Sequence, residues 1–77
     1  MAEYDEELSV IGMSCPVPLI QLAKVVKTLK SGQILKITGD DPIFEDGVRD
    51  FCELQALTIL NIEYATNSRE ISVLIQC

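Results

Sequence analysis

The 77-residue sequence predicts an α+β domain, a two-layer α/β sandwich with two helices on one face of a four-stranded mixed sheet, in the order βαβαββ. Two observations carry this. Apolar residues recur at helical spacing in two stretches, Leu19, Leu22, Val25 with Val26 and Leu29, then Phe44, Val48, Phe51 and Cys52. Elsewhere they alternate at strand spacing, as in Leu35 and Ile37 or Ile71, Val73 and Ile75. Right-handed crossovers between parallel strands would then place both helices on the same side.

Taken in order, residues 1–6 are expected to form a flexible acidic tail ahead of a single domain over 7–77. Leu8, Val10 and Ile11 suggest a short first strand broken by Gly12. The first helix follows Pro16-Val17-Pro18, with Gln21, Lys24, Lys27 and Lys30 largely on its polar side, and Ser31-Gly32 is expected to end it. Gln33 to Thr38 reads as the second strand. Gly39-Asp40-Asp41-Pro42 then opens the second helix, with Asp41 as its N-cap and Pro42 at its first position. Leu57 to Ala65 is a β-rich run in which Leu60, Ile62 and Tyr64 would share a face. Thr66-Asn67-Ser68-Arg69 reads as a hairpin turn, and Ile71 to Gln76 as the last strand.

Composition narrows the function. Twelve acidic residues against six basic give a net charge of −6, unsuited to binding nucleic acid through its phosphates. No apolar run is long enough to cross a membrane. The three cysteines form no CxxC, and the acidic first residues do not resemble a secretory signal, so reduced thiols in the cytoplasm are expected. Histidine is absent, which leaves a Cys-His hydrolase without its base and zinc without a ligand set. The acids Asp40, Asp41, Glu45, Asp46 and Asp50 read as helix-capping and dipole-complementing groups rather than as a metal site. No cofactor is expected.

Cys15 is the most informative residue. It stands in Met13-Ser14-Cys15-Pro16-Val17-Pro18, just ahead of the first helix. There, unpaired backbone N–H groups and the positive end of the macrodipole favour a thiolate. Pro16 suits the first helical position, and Pro18 still falls within the first turn. A buried cysteine acting as a small hydrophobe is the competing reading, and it suits Cys52 in its apolar stripe better than Cys15.

With Gly12 before the CPxP box, Gly32 after the first helix, and Asp40-Asp41-Pro42 followed by Asp46, the chain resembles the TusA/SirA-like family of small sulfur carriers. The resemblance runs from about Ser9 to Cys77. It departs from the family pattern at Ser9, at Gly47, and at Leu54-Gln55 where a glycine commonly follows the second helix. The resemblance implies a two-layer α/β fold and a cytoplasmic sulfurtransferase of carrier type. In it Cys15 would bear sulfur as a persulfide, supported by Gly12, Ser14, Pro16 and Pro18. A carrier of this kind would meet two protein partners, a sulfur donor (a cysteine desulfurase or rhodanese-like protein) and an acceptor. A monomer is expected.

Docking is expected around the thiol, with Met13 and Val17 offering apolar contact and Lys24 and Lys27 attracting an acidic rim. The plainer alternative is that the lysines only keep the helix solvated. Two other functions compete with sulfur relay. One is an interaction or redox-regulatory module of the same fold. The other is a thiol oxidoreductase, for which Cys52, Cys77 or another chain would have to supply the resolving thiol.

Overall fold

Leu35 and Ile37 alternate with Lys36 and Thr38, and this period of two makes β2 (Ile34–Gly39) the spine of the sheet. The computed structural model describes residues 4–13 and 17–77. The other elements are β1 (Glu6–Ser9), α1 (Val17–Val26), α2 (Phe44–Leu54), β3 (Thr58–Tyr64) and β4 (Ile71–Gln76). The strands lie in the order β1-β2-β4-β3, with β1 parallel to β2 and β4 antiparallel to both its neighbours. The expected order βαβαββ and the mixed sheet are therefore borne out.

One face of the sheet is closed and the other open. Leu35, Ile37, Val73 and Ile75 are wholly buried and form one cluster with Val10, with Leu22 of α1, and with Phe44, Val48 and Cys52 of α2. On the reverse face Lys36, Thr38, Ser72 and Leu74 stay half-exposed, and the Thr38 and Ser72 hydroxyls lie 3.0 Å apart. Both helices accordingly cover the same face. Val26, Leu29 and Phe51 of the two apolar stripes pack at the margin of this core. Gly39 ends β2 under Phe44, and a Cβ there would come within 2.7 Å of the phenyl ring. Glycine is what lets the first aromatic of α2 lie flat on the strand.

Four expectations need correction. First, β1 starts at Glu6 and ends at Ser9, earlier than expected, and Ile11 lies in the turn beyond it. Leu8 and Val10 still pack on the core. Asp5 and Glu6, placed in the tail by sequence, are tied to β2. The Asp5 N–H donates to the Ile34 carbonyl at 2.8 Å, its carboxylate accepts the Ile34 N–H at 2.8 Å, and Glu6 pairs with Leu35.

Second, α1 ends at Val26 rather than at Ser31-Gly32. The β-branched pair Val25-Val26 is a weak helix former. Beyond it the bonds tighten, from the Thr28 N–H to the Val25 carbonyl at 2.9 Å and from the Leu29 N–H to the Val26 carbonyl at 3.2 Å. The Thr28 hydroxyl also donates to the Val25 carbonyl at 2.7 Å, closing the helix end. Gly32 belongs to the following turn, where its N–H meets the Cys77 carbonyl at 2.7 Å.

Third, Asp41 is not the N-cap of α2. Ile43 holds that position without a side-chain cap. The Asp41 carboxylate instead accepts the Ile43 N–H at 2.9 Å, and its carbonyl accepts the Phe44 N–H at 3.0 Å. These bonds form a turn before the helix, with Pro42 inside it.

Fourth, Leu60 does not share the face of Ile62 and Tyr64, which pair with Val73 and Ile71 on the helix side of the sheet. The β3–β4 register shifts between Ile59 and Asn61, so Leu60 is an extra residue that turns outward. Ile59 and Ile62 face the core in its place, and Leu60 and Tyr64 are exposed.

Candidate functional site

The chain leaves β1 through a tight turn. The Val10 N–H donates to the Thr38 carbonyl at 2.8 Å, and the Met13 N–H returns to the Val10 carbonyl at 3.1 Å. Gly12, third residue of that turn, has φ +82°, a left-handed conformation that L side chains adopt only with strain. Its N–H donates to the Asp40 carboxylate at 2.9 Å, across 28 residues of sequence. Ser14, Cys15 and Pro16 lie outside the described residues. The chain is described again at Val17, the first residue of α1, and Pro18 is buried in the first helical turn.

The Asp40-Asp41-Pro42 box therefore reaches the segment around the cysteine box at two places. Asp40 holds the turn leading into the cysteine box. Beyond it, Pro18 and Leu19 share a narrow crevice with Asp41, Ile43, Phe44 and Gly47. Sequence reasoning treats the Asp40-Asp41-Pro42 run only as helix capping and misses the role of Asp40. A bond between residues so far apart leaves no periodic signal. The co-occurrence of the two boxes is the one available hint.

The electrostatics of the two helix starts differ. The first turn of α2 carries Glu45 and Asp46, whereas the first turn of α1 carries no acidic residue. The positive end of α1 is thus not offset by acids of its own. On α2, the Glu45 carboxylate accepts the Tyr64 hydroxyl at 2.7 Å and Arg49 Nε at 3.0 Å. Those hydrogen bonds, from Tyr64 first and then Arg49, hold its carboxyl below the usual range.

Met13 and Val17 are exposed, and so are Lys24 and Lys27. Ile20 and Ile43 are exposed as well, and sequence reasoning passes them over. Ile20 has a legible signal, since it falls outside the Leu19–Leu22 stripe and three residues after Val17. Val17, Ile20 and Lys24 consequently lie along one side of α1. A separate cleft of about 340 Å³ lies between the Asp40-Asp41-Pro42 turn and the β3–β4 hairpin at Tyr64 and Arg69.

Burial disfavours the thiolate at both remaining cysteines. Cys52 is buried in α2, and desolvation, followed by the charge of Cys77, pushes its thiol up to about 11. Burial also raises the Cys77 thiol. The Cys77 N–H donates to the Gln33 carbonyl at 3.0 Å, which holds that residue at the opposite end of β2 from Asp40. Neither is well placed to resolve a disulfide on the Gly12 side. Among the described residues no cluster could hold a metal ion, and no helix is long and apolar enough to cross a membrane.

Known proteins agree with this architecture. A sulfur carrier protein TusA from Allochromatium vinosum is 37% identical over 51 residues, 66% of this chain and 63% of its own length. A putative sulfur carrier protein from Aquifex aeolicus is 29% identical over 59 residues, 77% of this chain and 30% of its own length. Both matches thus span less than two thirds of the relative. The crystal structure of a SirA-like protein from Desulfitobacterium hafniense superposes with a TM-score of 0.83 at 20% identity, covering 95% of this chain and 97% of that one. That likeness establishes the fold. The family model for sulfurtransferase TusA matches residues 6–76, nearly the whole chain. With the paired boxes in contact and this sheet order, the chain belongs to the TusA family.

Proposed function

We propose that the protein is a sulfur carrier, in which Cys15 holds sulfane sulfur as a persulfide between a donor protein and an acceptor protein. The observation that supports this most is the start of α1. The helix opens at Val17, two residues after Cys15 in the chain, with no acid in its first turn. Unpaired N–H groups at such an end favour an anion, and a persulfide is more acidic than a thiol. The raised Cys52 and Cys77 thiols leave Cys15 as the chain's candidate nucleophile.

The chemistry balances without an external oxidant. The Cys15 thiolate attacks the outer sulfur of the donor's persulfide, forming a new S–S bond. The donor's S–S bond breaks, and the donor cysteine leaves as a thiolate with the electron pair. In the second exchange the acceptor's thiolate attacks the outer sulfur on Cys15, and Cys15 departs as a thiolate. A stabilised thiolate is a better leaving group, so the absent histidine is no obstacle. The donor would be a cysteine desulfurase or a rhodanese-like protein. Met13, Val17, Lys24 and Lys27 would form the docking face, Gly12, Ser14, Pro16 and Pro18 would support the thiol, and the protein would act as a cytoplasmic monomer.

Intact mass after incubation with a cysteine desulfurase and cysteine tests the reading. A carrier gains one sulfur atom. A protein that gains none is an interaction module, and one that instead forms a disulfide with a mild oxidant is an oxidoreductase. Either of those results overturns sulfur relay.

A further inference from the structure

We propose that Asp40 is a positioning residue for Cys15: by accepting the Gly12 N–H, its carboxylate fixes the turn that precedes the CPxP box. The inference rests on the sulfur-carrier reading and adds a residue to it. Two points near the end of β2 hold the turn after β1. The Thr38 carbonyl takes the Val10 N–H at 2.8 Å, and the Asp40 carboxylate takes the Gly12 N–H at 2.9 Å. Among the described residues this is the only hydrogen bond of the Asp40 carboxylate, while Asp41 alone serves the turn before α2. Asp40 is half-buried and lies outside the apolar core.

Gly12 makes the bond matter. A Cβ at this position would meet nothing within 4 Å, so glycine serves the backbone angle of +82° rather than a lack of space. Glycine visits many other angles freely, and an external bond is needed to hold it at one. Only Met13 and Ser14 separate it from Cys15 in the chain. A rotation at Gly12 displaces whatever follows, and the benefit of a helix end fades within one turn. A displacement of about 1 Å can cost as much as roughly 100-fold in rate.

Charge and position have opposite effects here, so they can be separated. A carboxylate near a forming thiolate opposes it, and its removal would speed the thiol's reactions if charge were what mattered. Removal of a brace would slow them. Asparagine retains an acceptor of the same reach without the charge, whereas alanine removes both.

The test compares Asp40→Asn and Asp40→Ala in the full chain. Cys15 alkylation by iodoacetamide is followed by peptide mapping, and exchange of the Gly12 amide by NMR. Asp40→Ala is expected to slow Cys15 alkylation about tenfold, with rapid exchange at Gly12. Asp40→Asn is expected to keep the parental alkylation rate and protection. Any result in which the two variants behave alike, including equal acceleration, overturns the proposal. Should Asp40→Ala fail to fold, Asp40→Glu takes its place, since it keeps the charge but moves the acceptor, and it too is expected to be slow. Failure of the underlying reading shows separately. A parent protein that accepts no sulfur from a desulfurase sinks the carrier reading, while a parent that does so beside an equally fast Asp40→Ala variant sinks the brace alone.

Discussion

Cys52 lies in the apolar stripe of α2, 2% exposed, with its thiol pushed up to about 11 by desolvation from an ordinary 9.0. In the unfolded chain the same thiol ionises first as pH rises. Between the two values the unfolded state has therefore lost a proton that the folded state keeps, and stability falls with rising pH. The contribution is complete below about pH 9 and lost by about pH 11, on the order of 2 kcal/mol in all. Urea unfolding at both ends of that window should show a steeper decline for the parent than for Cys52→Ala. Parallel declines would mean that the thiol is not desolvated. At this scale the sequence is a good guide to Cys52, because a cysteine in phase with Phe44 and Val48 falls on the face of α2 that must be buried. It is silent on Asp40, whose partner stands in another element. It also mistakes Asp41 for a helix cap, because the turn through Pro42 is not anticipated.

At the scale of elements, the end of α2 carries a strain that can be relieved. Ala56, two residues beyond Leu54, has φ +56° without being glycine. The left-handed conformation costs an L residue roughly 1–2 kcal/mol. The loss of backbone freedom offsets part of the gain on changing to glycine. Ala56→Gly is accordingly expected to stabilise the protein by about 0.5–1 kcal/mol, read as a higher urea midpoint. A lower midpoint would show that the angle is not strained. Sequence reasoning notices a missing glycine after the second helix, at Leu54-Gln55, and the positive φ falls at the next residue, Ala56. Lys24 on α1 and Lys27 just beyond its end give a second test. Reversing both charges should slow sulfur transfer more at low salt than at high salt, with Cys15 alkylation unchanged. Equal transfer rates at low salt would leave the apolar residues Met13, Val17 and Ile20 as the docking contact. Strand phase is the least legible property at this scale, since the extra residue at Leu60 falls out of phase with Ile62 and Tyr64 without altering the composition of β3.

For the whole molecule, nine buried apolar residues among those described form a single core between two helices and four strands. Leu22 is wholly buried within it, so Leu22→Ala should cost roughly 2–5 kcal/mol. In a domain of 77 residues that is a large share of the total, and a marked loss of urea stability is the expected result. A change under about 0.5 kcal/mol would mean that the core repacks around the gap. The layer order is legible because two helical stripes and the strand alternation admit one economical packing. The meeting of the CPxP and DDP boxes is not, because it depends on the parallel pairing of β1 with β2 that brings Gly12 beside Asp40. That meeting places the turn before the cysteine under the control of a second element, and the thiol is where the functional reading must stand or fall. The most direct measurement is peptide mapping by mass spectrometry after loading with a cysteine desulfurase and cysteine, on the parent and on Cys15→Ser. The expected result is one added sulfur atom on the Cys15 peptide of the parent and none anywhere in the variant. Sulfur on Cys52 or Cys77, or undiminished loading of Cys15→Ser, would contradict it.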